Sequence, residues 1–245
     1  MRLLVAALVG LSLTGAGHAA TGPTVAIDPG HDRFANSETE PIGPGSATRK
    51  IKDGGGTSGV VTGIREADLV LDVSLRLRAL LRRAGVRVVM TRTRTTGPSM
   101  GNIARARVAN RAGAALFLRV HADGHPDASV RGTHTLVPAL RRGWTSDVYR
   151  DSRRAAEVVQ RELLRALRFP DRGIQERSDF TGFNWADVPV ILVELGFMTN
   201  PIEDRALARE ASRAQAALAS RAQAALGLCR GTLAYLRVSP ARCVL

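Results

Sequence analysis

The chain has 245 residues, 44% of them apolar, enough to bury one sizeable core and short for two domains; that composition excludes a disordered or fibrous protein. The formal net charge is +13, and all but two of the 35 basic residues, Lys50 and Lys52, are arginine. Much of that arginine reads as solvated helix surface, and the surplus favours an acidic envelope polymer as partner; aromatic residues, at 4%, are too few for the stacking platforms of a nucleic-acid binder, so no nucleic acid is expected.

Residues 1–19 have the pattern of a secretory signal peptide: Arg2, an apolar run from Leu3 to Leu13, then Gly17-His18-Ala19 as the small-residue cleavage site. The run is too short and glycine-punctuated for a membrane span, so a secreted or envelope location without stable membrane insertion is expected. The mature chain opens with a strand, Val25-Ala26-Ile27-Asp28, that leads through Pro29-Gly30 to His31. Residues 32–63 are rich in Gly, Pro, Ser and Thr and read as a long structureless connection, one wall of a groove. From Arg65 to Ala84 the stripe Val70, Val73, Leu77, Leu80 and Ala84 predicts an amphipathic helix, closed by Gly85, with Glu66 in its first turn.

Val86 to Met90 predicts a strand and Ser99 to Arg111 a helix, followed by the strand Leu116-Phe117-Leu118-Arg119-Val120 that delivers His121. Gly132 to Pro138 reads as another strand, Thr145 to Leu167 as a long arginine-rich helix, and 170–189 as an aromatic loop. The next strand, Val190-Ile191-Leu192-Val193, ends at Glu194, with Gly196 as a turn. A last alanine-rich helix covers about Ala206 to Leu226. Strands alternating with helices of this length predict a single α/β domain over 24–226, a mostly parallel central sheet with helices on both faces. The tail 227–245 holds both cysteines. Outside the cytoplasm a Cys229–Cys243 bridge would pin it, stabilising by about 3 kcal/mol on the chain-entropy argument.

In open α/β sheets, ligands bind outside the carboxyl ends of the strands. His31, His121 and Glu194 all emerge at such ends. A buried ionised carboxylate needs a compensating partner, and two imidazoles beside a carboxylate are a common zinc shell. Their wide separation in sequence makes this an argument from position alone. Glu66 on its own reads as an ordinary carboxylate at a helix N-terminus. His125, four residues past His121, is the competing ligand, disfavoured because Gly124 and Pro126 predict a turn rather than a helix.

Four segments carry a resemblance: Val25-Ala26-Ile27-Asp28-Pro29-Gly30-His31, Gly63-Ile64-Arg65-Glu66-Ala67-Asp68-Leu69, Leu116 through Asp123, and Val190 through Pro201. Together, and in this order, they resemble the zinc-dependent N-acetylmuramoyl-L-alanine amidases, bacterial cell-wall hydrolases of the type-3 catalytic domain. Arg105, Asn110 and Thr181-Gly182-Phe183-Asn184-Trp185 fit the same pattern. The resemblance implies one zinc ion per chain bound by His31, Glu66 and His121, with Glu194 as the catalytic carboxylate. It implies peptidoglycan as substrate, cleaved between N-acetylmuramic acid and L-alanine. Asp28 would either orient His31 or cap the Pro29-Gly30 turn.

The chain departs from the family at Asp32, where a glycine is common, at Ala104, where an acidic residue often stands, and at His134, where glutamate is frequent. His134 reads as groove-lining or structural. Two other readings follow from the same residues: a zinc peptidase acting on the stem or cross-bridge peptides, and a non-catalytic wall-binding module that uses its arginines.

Overall fold

A computed structural model describes residues 22–209 and 220–245. The expected signal peptide, 1–19, lies outside the described residues, as does part of the helix expected over 206–226. In chain order the elements are β1 (Thr24–Pro29), β2 (Asn36–Pro41), β3 (Arg49–Asp53), α1 (Glu66–Arg83), β4 (Arg87–Met90), α2 (Asn102–Arg111) and β5 (Leu116–Asp123), followed by β6 (Thr133–Pro138), α3 (Tyr149–Leu167), β7 (Asp171–Arg177), α4 (Thr181–Asn184), β8 (Val190–Phe197), α5 (Pro201–Ala208) and α6 (Ser220–Tyr235). Six strands form one sheet in the order β4-β1-β5-β8-β6-β7. The first four are mutually parallel, β6 runs antiparallel to β8, and β7 pairs parallel to β6. The mostly parallel α/β architecture is therefore as the sequence predicts.

Period-two alternation decides what each face carries. Val25 and Ile27 of β1, Leu116, Leu118 and Val120 of β5, and Ile191, Val193 and Leu195 of β8 join the larger core, where α1, α3 and α6 pack. The intervening residues, Ala26, Phe117, Leu136 and Leu192, join a smaller core under α2 and α4. Following the same alternation, Asp28, Arg119, His121, His134 and Glu194 point to that thinner side. The apolar stripe of α3, with Ala155, Ala156, Val159 and Leu163, is buried against the sheet and α6.

Three expectations need correction. Residues 32–63 are not structureless: β2 and β3 form an antiparallel hairpin. Its strands are mostly exposed on both faces, so no apolar alternation announces them. Within 170–189, β7 adds an edge strand and α4 a single helical turn. Glu194 does not terminate its strand, because β8 continues to Phe197 past a register irregularity in the β5–β8 pairing between His121 and Asp123. At the C-terminus α6 runs through residue 226 to Tyr235, and Cys229 on it is disulfide-bonded to Cys243. Arg242 then donates to the Ala84 carbonyl and Arg83 to that of Val244, so the last residues lie against the end of α1.

Candidate metal centre and active site

His31 follows β1 where Gly30 donates its N–H to the Val120 carbonyl of β5 (2.9 Å). The backbone at His31 is left-handed, φ 56°, an uncommon conformation for a side chain other than glycine, asparagine or aspartate. Arg105 of α2 holds this turn by donating to the carbonyls of Pro29 (3.0 Å) and His31 (3.0 Å). The imidazole Nδ1 lies 2.5 Å from Asp53 Oδ1 at the end of β3, leaving Nε2 facing Glu66 Oε1 at 3.2 Å.

Glu66 opens α1 and is 4% exposed. Its Oε2 accepts from the Thr57 N–H (3.0 Å) and its Oε1 from the Ala122 N–H (3.2 Å). The same Oε1 is 3.1 Å from His121 Nδ1. The two imidazoles meet edge to face with centroids 4.9 Å apart. His121 Nε2 is buried with no hydrogen-bond partner among the described residues. One donor atom from each of His31, Glu66 and His121 thus falls within a 4.8 Å cluster. Two imidazole nitrogens and a carboxylate, with His31 oriented from behind by Asp53 and Glu66 by the Thr57 and Ala122 N–H groups, are a donor set that fits zinc.

Electrostatics in this cluster follow from burial and contact. Burial opposes a charge on His31, but hydrogen bonds to Asp53 and Glu66 outweigh it and raise its pKa to about 9. Burial likewise opposes ionisation of Glu66, yet its bonds to His121 and His31 hold it well below the usual carboxylate range. His121 is pushed down, chiefly by burial. Glu194 stands opposite His121 in the β5–β8 register and opposite His134 in the β6–β8 register. Burial, then the neighbouring Glu66 and Asp123, push Glu194 well above the ordinary carboxylate value, and its Oε2 has no hydrogen-bond partner among the described residues.

With this geometry in place, the comparisons with known proteins are decisive about kinship. Residues 25–224 match the N-acetylmuramoyl-L-alanine amidase family profile. The chain belongs to the N-acetylmuramoyl-L-alanine amidase family. It is 33% identical over 207 residues to the N-acetylmuramoyl-L-alanine amidase Rv3717 of Mycobacterium tuberculosis, covering 79% of this chain and 81% of that one. The crystal structure of the amidase Ami1 from Mycobacterium smegmatis superposes with a TM-score of 0.76 at 28% identity, covering 88% of this chain and 97% of that one. An N-acetylmuramoyl-L-alanine amidase structure from Clostridium difficile 630 gives 0.69 at 26% identity, with coverage of 88% and 97%.

Within this amidase, Asp28 does neither of the things expected of it. It is fully buried and accepts from Arg105 Nη1 (2.5 Å), Arg119 Nε (2.8 Å) and Thr91 Oγ1 (2.6 Å). Burial opposes its ionisation, but the two guanidinium groups win and keep it charged. The carboxylate that orients His31 is Asp53, which the sequence reading missed. Burial works against its charge as well, and the contact with His31 brings its pKa down to about 2. The available clue was an aspartate opening a run of three glycines, where its Oδ1 also accepts from the Gly55 N–H. Asn110 ties α2 to the segment before β8 through the Trp185 carbonyl and both the side chain and N–H of Asp187. Asp32 accepts from the N–H groups of Arg33 and Thr96, bracing the loop after His31.

His125 is exposed in the loop after β5 and accepts from the Asp127 N–H, outside the three-residue cluster. His134 is buried and stacked on Phe197 at 5.7 Å, 3.6 Å from the Asp123 carboxylate. Two cavities meet at the centre, both lined by His31, His121 and Glu194. The first, about 280 Å³, is walled by Lys50 and Lys52 of the hairpin, so this segment forms one side of a cleft. The second, about 500 Å³, is lined by Thr57, Asp123, His125 and Thr199.

Proposed function

We propose that this amidase hydrolyses the bond between N-acetylmuramic acid and L-alanine in peptidoglycan, with zinc held by His31, Glu66 and His121 and with Glu194 as general base. One observation carries this reading: a buried, unpartnered carboxylate stands in register beside a converging His-Glu-His donor set. A bound zinc ion would supply Lewis acidity toward the amide carbonyl and lower the pKa of water to roughly 7. Glu194, whose proton affinity is raised by burial, takes the proton from the attacking water and passes it to the departing alanine nitrogen. Asp53 accepts from His31 Nδ1–H and so fixes the tautomer that leaves Nε2 as the ligand atom. The peptidoglycan substrate places the enzyme outside the cytoplasm, consistent with residues 1–19 as a signal peptide and with a disulfide. No helix among the described residues is long and apolar enough to cross a membrane.

The test is digestion of purified peptidoglycan with and without a chelator, labelling new amino termini and counting new reducing ends. New N-terminal alanine, no new reducing ends, and activity lost on chelation and restored by zinc are the expected results. New amines on other residues would replace the amidase with a peptidase. Wall binding without release would make the protein a silent binding module.

A further inference from the structure

The two cavities that meet at the candidate metal centre differ in charge. The first is lined by four cationic side chains, Lys50, Lys52, Arg105 and Arg119. The second is lined by no lysine or arginine. Not all four are free to receive a ligand. Arg105 is fully engaged: Nε donates to the Met100 carbonyl, Nη1 to Asp28 and the Pro29 carbonyl, Nη2 to the His31 carbonyl and Ser99. Lys52 pairs with Glu38. Arg119 is different. Its Nε donates to Asp28 and its Nη2 to Asn102, but Nη1 makes no hydrogen bond among the described residues. The guanidinium sits in the wall of the cavity, on a residue only 4% exposed, and it shares its single carboxylate with Arg105.

Gly182 of α4 makes room for this group: a Cβ there would lie 2.3 Å from Arg119 Nη1. At the rim, Lys50 reaches from the hairpin to Asp179, 2.9 Å away, and also lies 5.7 Å from the Phe180 ring centroid. This rim pair is about 40% exposed on both sides, so an incoming anion can compete with Asp179 for the ammonium. The other carboxylates on the wall are Asp53, committed to His31, and Glu194. An underused guanidinium at the base and an exchangeable ammonium at the rim suit a carboxylate.

Resting on the amidase reading above, we propose that the first cavity is the stem-peptide subsite, where Arg119 and Lys50 receive a free carboxylate of the residue after L-alanine. The uncharged glycan then occupies the second cavity, beside Thr57 and Thr199. In the scissile amide the acyl half belongs to the sugar and the nitrogen to the peptide. The leaving amine therefore departs toward the hairpin.

The experiment titrates the zinc-loaded full chain by calorimetry with L-Ala–D-Glu and with the same dipeptide carrying an amidated α-carboxylate, L-Ala–D-isoglutamine. The wild type is expected to bind the first at least five times more tightly, with the difference shrinking at high salt. Lys50→Met should abolish most of that preference at unchanged melting temperature. Asp179→Asn, which removes the internal competitor, should increase it. Gly182→Ala should reduce it by displacing Arg119. Because Arg119→Gln also strips a buried partner from Asp28, the surface variant Lys50→Met carries the test on its own. Equal binding of the two dipeptides, or a preference untouched by Lys50→Met, overturns the proposal. A preserved preference in a protein that releases nothing from peptidoglycan would overturn the amidase reading and leave the subsite standing.

Discussion

The candidate site has a strand-borne half and a loop-borne half, and the two are secured by different physics. His121 and Glu194 stand opposite each other on adjacent parallel strands, so the pleat and the register fix their direction and spacing. His31 stands beyond the end of β1 on a left-handed backbone. Its ring is aimed by Asp53 from the hairpin and its carbonyl is gripped by Arg105 from α2. The strand-borne half inherits its precision from the core, whereas the loop-borne half depends on a few hydrogen bonds. Damage to the first should cost chemistry outright, and damage to the second should loosen metal binding by degrees.

The largest expected effect is on the strand side. Glu194→Gln should keep zinc, measured by metal analysis of the purified protein, and lower kcat by about 100-fold to 10,000-fold. Turnover within a few-fold of wild type would remove Glu194 as the base. On the loop side, Asp53→Asn should weaken zinc affinity by about 10-fold to 100-fold in a competitive chelator titration, with kcat of the loaded enzyme changed far less. Gly30 joins the halves, since a Cβ there would lie 2.4 Å from His121 Cε1. Gly30→Ala should push that ring aside and cost roughly tenfold in zinc affinity, between the wild type and a ligand deletion.

The smallest effect is a pH dependence of the metal-free protein. Hydrogen bonds to Asp53 and Glu66 outweigh burial and raise the His31 pKa to about 9, against about 6.5 for a free imidazole. The His31 contribution is therefore complete below about pH 6.5 and disappears as the pH rises through 9, on the order of 3 kcal/mol. His121, pushed down by burial, acts with the opposite sign and loses its contribution as the pH falls below 6.5. Denaturant melts from pH 6 to 10 should show the alkaline loss, and His31→Gln should flatten it. A flat wild-type profile would show that Asp53 and Glu66 do not hold His31 protonated.

How much could be read in advance divides along the same line. The buried strands announce themselves by apolar runs, and their carboxyl ends point to His31, His121 and Glu194 as neighbours. Glu66 entered the ligand set through the family resemblance, because a carboxylate in the first turn of a helix has an ordinary explanation. The hairpin was invisible: β2 reads Asn-Ser-Glu-Thr-Glu-Pro and β3 Arg-Lys-Ile-Lys-Asp, polar on both faces. Glu40 is buried there because it accepts from the N–H groups of Asn102 and Ile103 at the start of α2, a long-range contact that no local pattern encodes. Asp53 was missed for the same reason. Asp28 was misassigned because its position in β1 predicts that it is inward-facing but not that two arginines, from α2 and β5, will converge on it.

The Cys229–Cys243 bridge makes redox history a property of any sample of this protein. It staples the tail to α6, the helix that packs against α1 and α3 behind the sheet. A glutathione-poised host cytosol leaves such thiols reduced, while a periplasmic or secretory route oxidises them. Preparations from the two routes share a sequence but are different covalent molecules, separated by a pair of hydrogens. Melting temperatures compared across them would report the oxidant each chain met as well as the substitution it carries.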